Sequence, residues 1–178
     1  MIRNSTNSYG LVSKLLHSLI AFSIIGLIGL GWWMVGLSYY DAWYHTGLEL
    51  HRAIGVCVLL LSSVFAIWKV ISPSPGLQES LKPMEKVGAK VVHVILLLSM
   101  FVVPLTGYAI STSSGSGFTF FGLFDIPSIM VITDTTRDLA INLHYYIAYG
   151  LIAVVLLHAG AAIKHQLIDK KGTLKRMF

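Results

Sequence analysis

Residues 141–166 read INLHYYIAYGLIAVVLLHAGAAIKHQ, and this run decides the fold. A helix that crosses a hydrocarbon layer needs about 20 mostly apolar residues at a rise near 1.5 Å each. The run is long enough, and between His144 and Lys164 its one basic side chain is His158. Fourteen residues separate the two histidines, which is about 21 Å of rise and close to four full turns. They therefore stand at two depths on nearly the same side of one helix. Ionisable groups inside a span are costly and mark function by default.

Three more runs of this kind lie upstream, at about residues 13–37, 50–72 and 88–112. The chain has 178 residues, 55% hydrophobic and 12% charged. A soluble domain carries roughly 25% charged residues, so most of this surface is not built for water. The expectation is a single transmembrane domain, residues 1–178, folded as an all-α membrane four-helix bundle. The first run is too long for a signal peptide's apolar region, and no A-x-A-like cleavage site follows it, so it is expected to be retained. Cys57 is the single cysteine, which excludes an intrachain disulfide and any multi-cysteine zinc or iron–sulfur site.

The net charge of +5 does not point to nucleic acid, because the charges flank the apolar runs. Arg3, Lys14, Lys69, Lys82, Lys86, Lys90, Lys164, Lys170, Lys171, Lys175 and Arg176 fall at the termini and around the connection between spans two and three. The other two connections hold only Arg52 and Arg137. The positive-inside rule then puts both termini and the middle connection in the cytoplasm. Trp32, Trp33, Tyr39, Tyr40, Trp43 and Tyr44 fit an aromatic belt at the opposite face. Residues 71–76, ISPSPG, read as the turn that stops span two. The connection from about 113 to 140 is the longest. Its apolar cluster, 118–124, either lies on the bilayer or caps the bundle.

Depth can be assigned to the histidines from this topology. His17, early in span one, and His158 are inner; His51, early in span two, and His144 are outer. A histidine near a helix end is often an interfacial side chain whose tip reaches the headgroups. The set argues otherwise, because the depths correlate across helices. Two imidazoles facing each other across a bundle core can clamp a flat macrocycle. Zinc or copper would want three or four ligands at one depth. A four-histidine inner site from His17, His93, His158 and His165 is conceivable but leaves the outer pair unexplained. Axial ligation of two haem irons explains both pairs, and without C-x-x-C-H the haems are held non-covalently as b-type. Gly55 follows His51 by one turn and leaves room for a ring or for ordinary helix packing. Arg52 is placed either to pair with a haem propionate or to stand as a solvated interfacial charge.

These residues resemble the bacterial cytochrome b561 family of small di-haem membrane cytochromes. The matching features are His17, the L-H-R-x-x-G segment at Leu50, His51, Arg52 and Gly55, the P-L-T-G-Y segment at residues 104–108, and His144 with His158. The likeness covers roughly residues 8–168. It implies His51 with His144 for one haem iron and His17 with His158 for the other. It also implies a place in the bacterial inner membrane, ubiquinone as redox partner, and a superoxide oxidase (superoxide:ubiquinone oxidoreductase) activity known in the family. Ser18 departs from the tryptophan that often follows the first histidine there.

His93 and His165 fall outside the ligand pattern. Each is either a partner of a quinone head group or an interfacial anchor. The electron donor on the outer side is either superoxide or, with flow reversed, quinol feeding a periplasmic protein. Outer Asp41, Glu49, Asp125, Asp134 and Asp138 outnumber the two arginines, which disfavours attraction of an anion such as superoxide. A reading of another class is a non-redox transporter or assembly subunit whose histidines bind metal.

Overall fold

A computed structural model of the chain describes residues 1–177. Four long helices dominate: α1 (Leu11–Met34), α2 (Tyr44–Ile71), α3 (Pro83–Ser111) and α4 (Asp134–Leu167). All four are long and apolar enough to cross a membrane. A short hairpin, β1 (Phe118–Phe120) and β2 (Phe124–Ile126), lies between α3 and α4, and a 3₁₀ turn at Leu174–Arg176 follows. The architecture is the expected membrane four-helix bundle. Helix α4 begins seven residues before the apolar run does, with Asp134 in its first turn.

Local chemistry explains where the helices start and stop. Pro83 opens α3, where its missing N–H costs nothing, and the Lys82 N–H donates to the Glu85 carboxylate at 2.9 Å. Thr133 caps α4 by accepting from the Thr136 N–H at 3.2 Å. Helix α2 stops at Ile71 because Ser72 precedes Pro73, and a residue before proline is driven out of the α region.

The termini and the α2–α3 connection meet at one end of the bundle, called here the terminal end. Asn4 holds them together. Its backbone N–H donates to Ser72 Oγ at 2.9 Å, its Nδ2 donates to the Ser72 carbonyl at 2.8 Å, and its Oδ1 accepts from Ser13 Oγ at 2.7 Å. Ser13 in turn accepts from Trp68 Nε1 at 2.9 Å. Arg176 donates to the carbonyls of Asn7 (2.7 Å) and Gly76 (2.9 Å), which ties the C-terminal turn to the same face.

The opposite, far end carries the hairpin. Phe118 is buried there beside Tyr108, and the Arg52 guanidinium lies 5.8 Å over its ring. The choice left open by the sequence is thus resolved residue by residue. The base of the apolar cluster covers the bundle, while Phe121, Leu123 and Phe124 at the tip are exposed. The strand pairing was not foreseen.

Helix packing is uneven. Helix α4 runs along α3, α3 along α2, and α2 along α1, while α4 makes little backbone contact with α1 or α2. Few apolar side chains are buried: Leu16, Ile20, Ala53, Val58, Met100, Phe118, Ala140 and Leu151 among the described residues. Long apolar side chains such as Phe22, Leu60, Leu98 and Leu156 face outward, as a lipid-facing surface requires.

Candidate haem-binding site

The helices that stand apart carry the facing histidines. His51 on α2 and His144 on α4 meet near the far end with ring centres 6.1 Å apart. His17 on α1 and His158 on α4 meet near the terminal end with ring centres 6.3 Å apart. Metal–imidazole bonds of about 2.0–2.1 Å, with roughly 1.1 Å more to each ring centre, put two imidazoles trans on one metal about 6 Å apart. Both spacings match that requirement.

The surroundings also suit a flat macrocycle. The Nδ1 atoms of His17 and His51 are buried without a hydrogen-bond partner among the described residues. An unmet buried polar atom costs about 1–3 kcal/mol, so these rings are not simply satisfied core side chains. A Cβ added at Gly55 would meet nothing within 4 Å, so open space lies beside His51's own helix. Arg52 Nε is likewise buried without a partner. Its charge at the far end fits an anionic group such as a propionate. Together these residues fit haem.

Among the described residues, His17, His93, His158 and His165 do not gather into a compact four-histidine metal site. Among the described residues, the only group of three ligating side chains with atoms within 4.8 Å is Glu85, His165 and Asp169, away from the facing pairs. Lysines occupy that group. Lys164 bridges Glu85 (3.3 Å) and Asp169 (2.8 Å), and Lys171 reaches Glu85 at 3.1 Å. His165 Nδ1 lies 2.6 Å from Asp169 Oδ2. Hydrogen bonds from Lys164 and His165 hold the Asp169 carboxyl well below its usual range, to about 2. His93 sits elsewhere, with its ring centre 5.2 Å from that of His158 in an edge-to-face contact. That is too close for a macrocycle to lie between those two rings.

Several contributors escaped the sequence reading. Gly31 on α1 lies against the His51 ring, where an added Cβ would come 3.2 Å from Cε1. Gly107 on α3 lies against His144, where the same atom would be at 3.1 Å. Val103 and Thr106 face the His144 Nδ1 at 3.0 and 3.3 Å. Gly107 and Thr106 belong to the P-L-T-G-Y segment, so a signal was present, but nothing in one dimension ties that segment to a ring 37 positions downstream.

Comparison with known proteins points to one family. Residues 8–178 match the family model described as prokaryotic cytochrome b561. The chain is 40% identical over 174 residues to cytochrome b561 homolog 2 of Escherichia coli K12, covering 98% of this chain and 93% of that protein. It is 30% identical over 155 residues to cytochrome b561 homolog 1 of the same organism, covering 83% and 81%. A protein of Yersinia pestis named probable superoxide oxidase CybB is 29% identical over 163 residues, covering 92% of this chain and 88% of its own.

Proposed function

The chain belongs to the prokaryotic cytochrome b561 family of membrane electron-transfer proteins, with b-type haem as cofactor, and from that premise we propose that it binds two haems and exchanges electrons with ubiquinone. His51 and His144 hold the far-end iron, and His17 and His158 the terminal-end iron. The observation that carries this reading is the pair of imidazole spacings, 6.1 and 6.3 Å, between helices whose backbones stand off. Bound haem supplies reversible one-electron chemistry. The protein's part is to fix both ligands of each pair, keep water from them with apolar helix faces, and neutralise a propionate with Arg52.

The lysine and arginine distribution supports termini in the cytoplasm. Quinone then exchanges at the terminal end. His93, packed on His158, is the better candidate there to bond a quinone head group. His165 is engaged by Asp169, which favours an anchoring role.

Two partners are proposed for the far end. One is superoxide, by likeness to the Yersinia protein. The other is a basic periplasmic protein. The charge balance supports the second, because Asp41, Glu49, Asp125, Asp134 and Asp138 outnumber Arg52 and Arg137, and Arg137 is held by Asp134 (3.1 Å) and Asp138 (3.3 Å). Stopped-flow mixing of haem-loaded protein with superoxide, with and without ubiquinone, separates the two. Haem reduction above the control, drained by ubiquinone, supports superoxide oxidation. No reduction above the control removes superoxide as donor. A preparation that stays colourless after haem supplementation would remove the redox reading altogether and favour a metal-binding transporter or assembly subunit.

A further inference from the structure

The four facing histidines are not held alike. The Val103 carbonyl lies 3.0 Å from His144 Nδ1, and a carbonyl can only accept. Nδ1 therefore carries the proton, and the Nε2 lone pair is free. Thr106 Oγ1 lies 3.3 Å from the same nitrogen. Its hydroxyl has one hydrogen, donated to the carbonyl of Val102 (2.9 Å) or Val103 (2.8 Å), so its oxygen can take a share of the His144 proton. Gly107 clears the space that lets α3 come this close. The facing histidines of α1 and α2 differ. His17 and His51 have buried Nδ1 atoms without partners among the described residues.

A ligating histidine whose second ring nitrogen donates to an acceptor is fixed in orientation and made more basic. We propose that Thr106, acting with the Val103 carbonyl, is a positioning residue that fixes the tautomer and plane of His144 and makes it the strongest electron donor among the four axial ligands. The proposal rests on the haem reading above. Its consequence is that α3, which supplies no ligand, sets the redox poise of the far-end haem. A more basic ligand favours the oxidised iron, so this support lowers the far-end midpoint.

The test is potentiometric titration and electron paramagnetic resonance on the purified, haem-loaded protein, comparing wild type with Thr106→Val, Thr106→Ser and Gly107→Ala. The far-end signal is the one that disappears in His144→Ala. With Thr106→Val, the far-end midpoint rises and its low-spin ferric g-values move, while the terminal-end haem is unchanged. Thr106→Ser keeps the hydroxyl and returns both readings toward wild type. Gly107→Ala pushes on Cε1 and moves the far-end g-values. Should Thr106→Val lose the far-end haem while Thr106→Ser keeps it, the hydroxyl is still the operative group. A far-end midpoint that stays put or falls, a shift of both haems together, or equal loss in the valine and serine variants would overturn the proposal. A wild-type protein lacking the far-end signal would overturn the haem reading as well, which separates the two failures.

Discussion

At the scale of single residues, the four facing imidazoles do the work that no backbone feature can do. On the proposed assignment, replacing His51 or His144 with alanine would remove one of the two residues that hold the far-end haem. The expected outcome is loss of the far-end haem with retention of the other, read as about half the wild-type haem per protein in an alkaline pyridine assay, in keeping with axial ligation. His17→Ala and His158→Ala give the complementary loss. Unchanged haem content in all four variants would end the ligand assignment. His93→Ala, by contrast, leaves the haem count at two and slows quinone-linked oxidation of the haems. Asp169 gives a pH prediction. Its carboxyl titrates at about 2, depressed chiefly by the Lys164 and His165 hydrogen bonds. A depressed carboxyl stabilises the fold fully above its unfolded value near 3.9 and loses that contribution as pH falls through the folded value. Docking of the C-terminal turn should therefore persist at pH 4, as read by protection of residues 168–177 from proteolysis. Asp169→Asn should loosen it at neutral pH.

At the scale of elements, the connections have more structure than their composition suggests. The α3–α4 connection pairs Phe118 with Ile126, Thr119 with Asp125 and Phe120 with Phe124. Phe121 takes a left-handed φ of 49° at the tip, which costs a bulky residue strain that the pairing must offset. Phe118 locks the hairpin to α2 and α3, so Phe118→Ala should release it. Truncating a well-buried phenylalanine costs about 3–5 kcal/mol. Because the hairpin is peripheral, the cost should appear as local opening: faster amide exchange at residues 118–126, with exchange in α1 unchanged. The N-terminal segment works in the same way at the other end. Asn4→Ala removes the Oδ1 that accepts from the buried Ser13 hydroxyl and the Nδ2 that donates to the Ser72 carbonyl, while the backbone N–H bond to Ser72 Oγ stays, a penalty of about 1–3 kcal/mol for a buried group left unmet.

For the whole molecule, the stand-off of α4 from α1 and α2 makes stability depend on what lies between them. A ligand that binds only the folded state stabilises it by mass action, by about 2.7 kcal/mol at a free concentration one hundred times its dissociation constant. Protein purified without haem should melt well below the loaded form and recover on haem addition, as followed by circular dichroism in detergent or nanodiscs. Equal melting of the two forms would show that the gap between the helices is filled by side-chain rearrangement instead. The spans were legible in the sequence because membrane solvation is a local property. Every stretch of about 20 residues must be apolar on its own account, so runs such as 141–166 announce themselves. The depths of His17, His51, His144 and His158 were legible for the same reason, since rise per residue converts position into height. The supports of His144 and the cover over Arg52 were not. Thr106, Gly107 and Phe118 are ordinary small or apolar residues whose meaning depends on the neighbouring helix.

By itself the sequence determined four apolar helices, the charge asymmetry between the two ends, and histidines paired by depth, because hydropathy, charge and helical rise are additive along the chain. Only the tertiary structure decided that His93 packs on His158, that His165 is bound to Asp169 within a lysine-laced cluster, and that α3 grips His144 through Val103 and Thr106. His93 and His158 are 65 positions apart, Val103 and His144 are 41 apart, and Lys171 reaches Glu85 across 86 positions. Such contacts depend on which helix faces which, and that choice is made by packing, whose range is a few ångströms in space and has no fixed length along the chain.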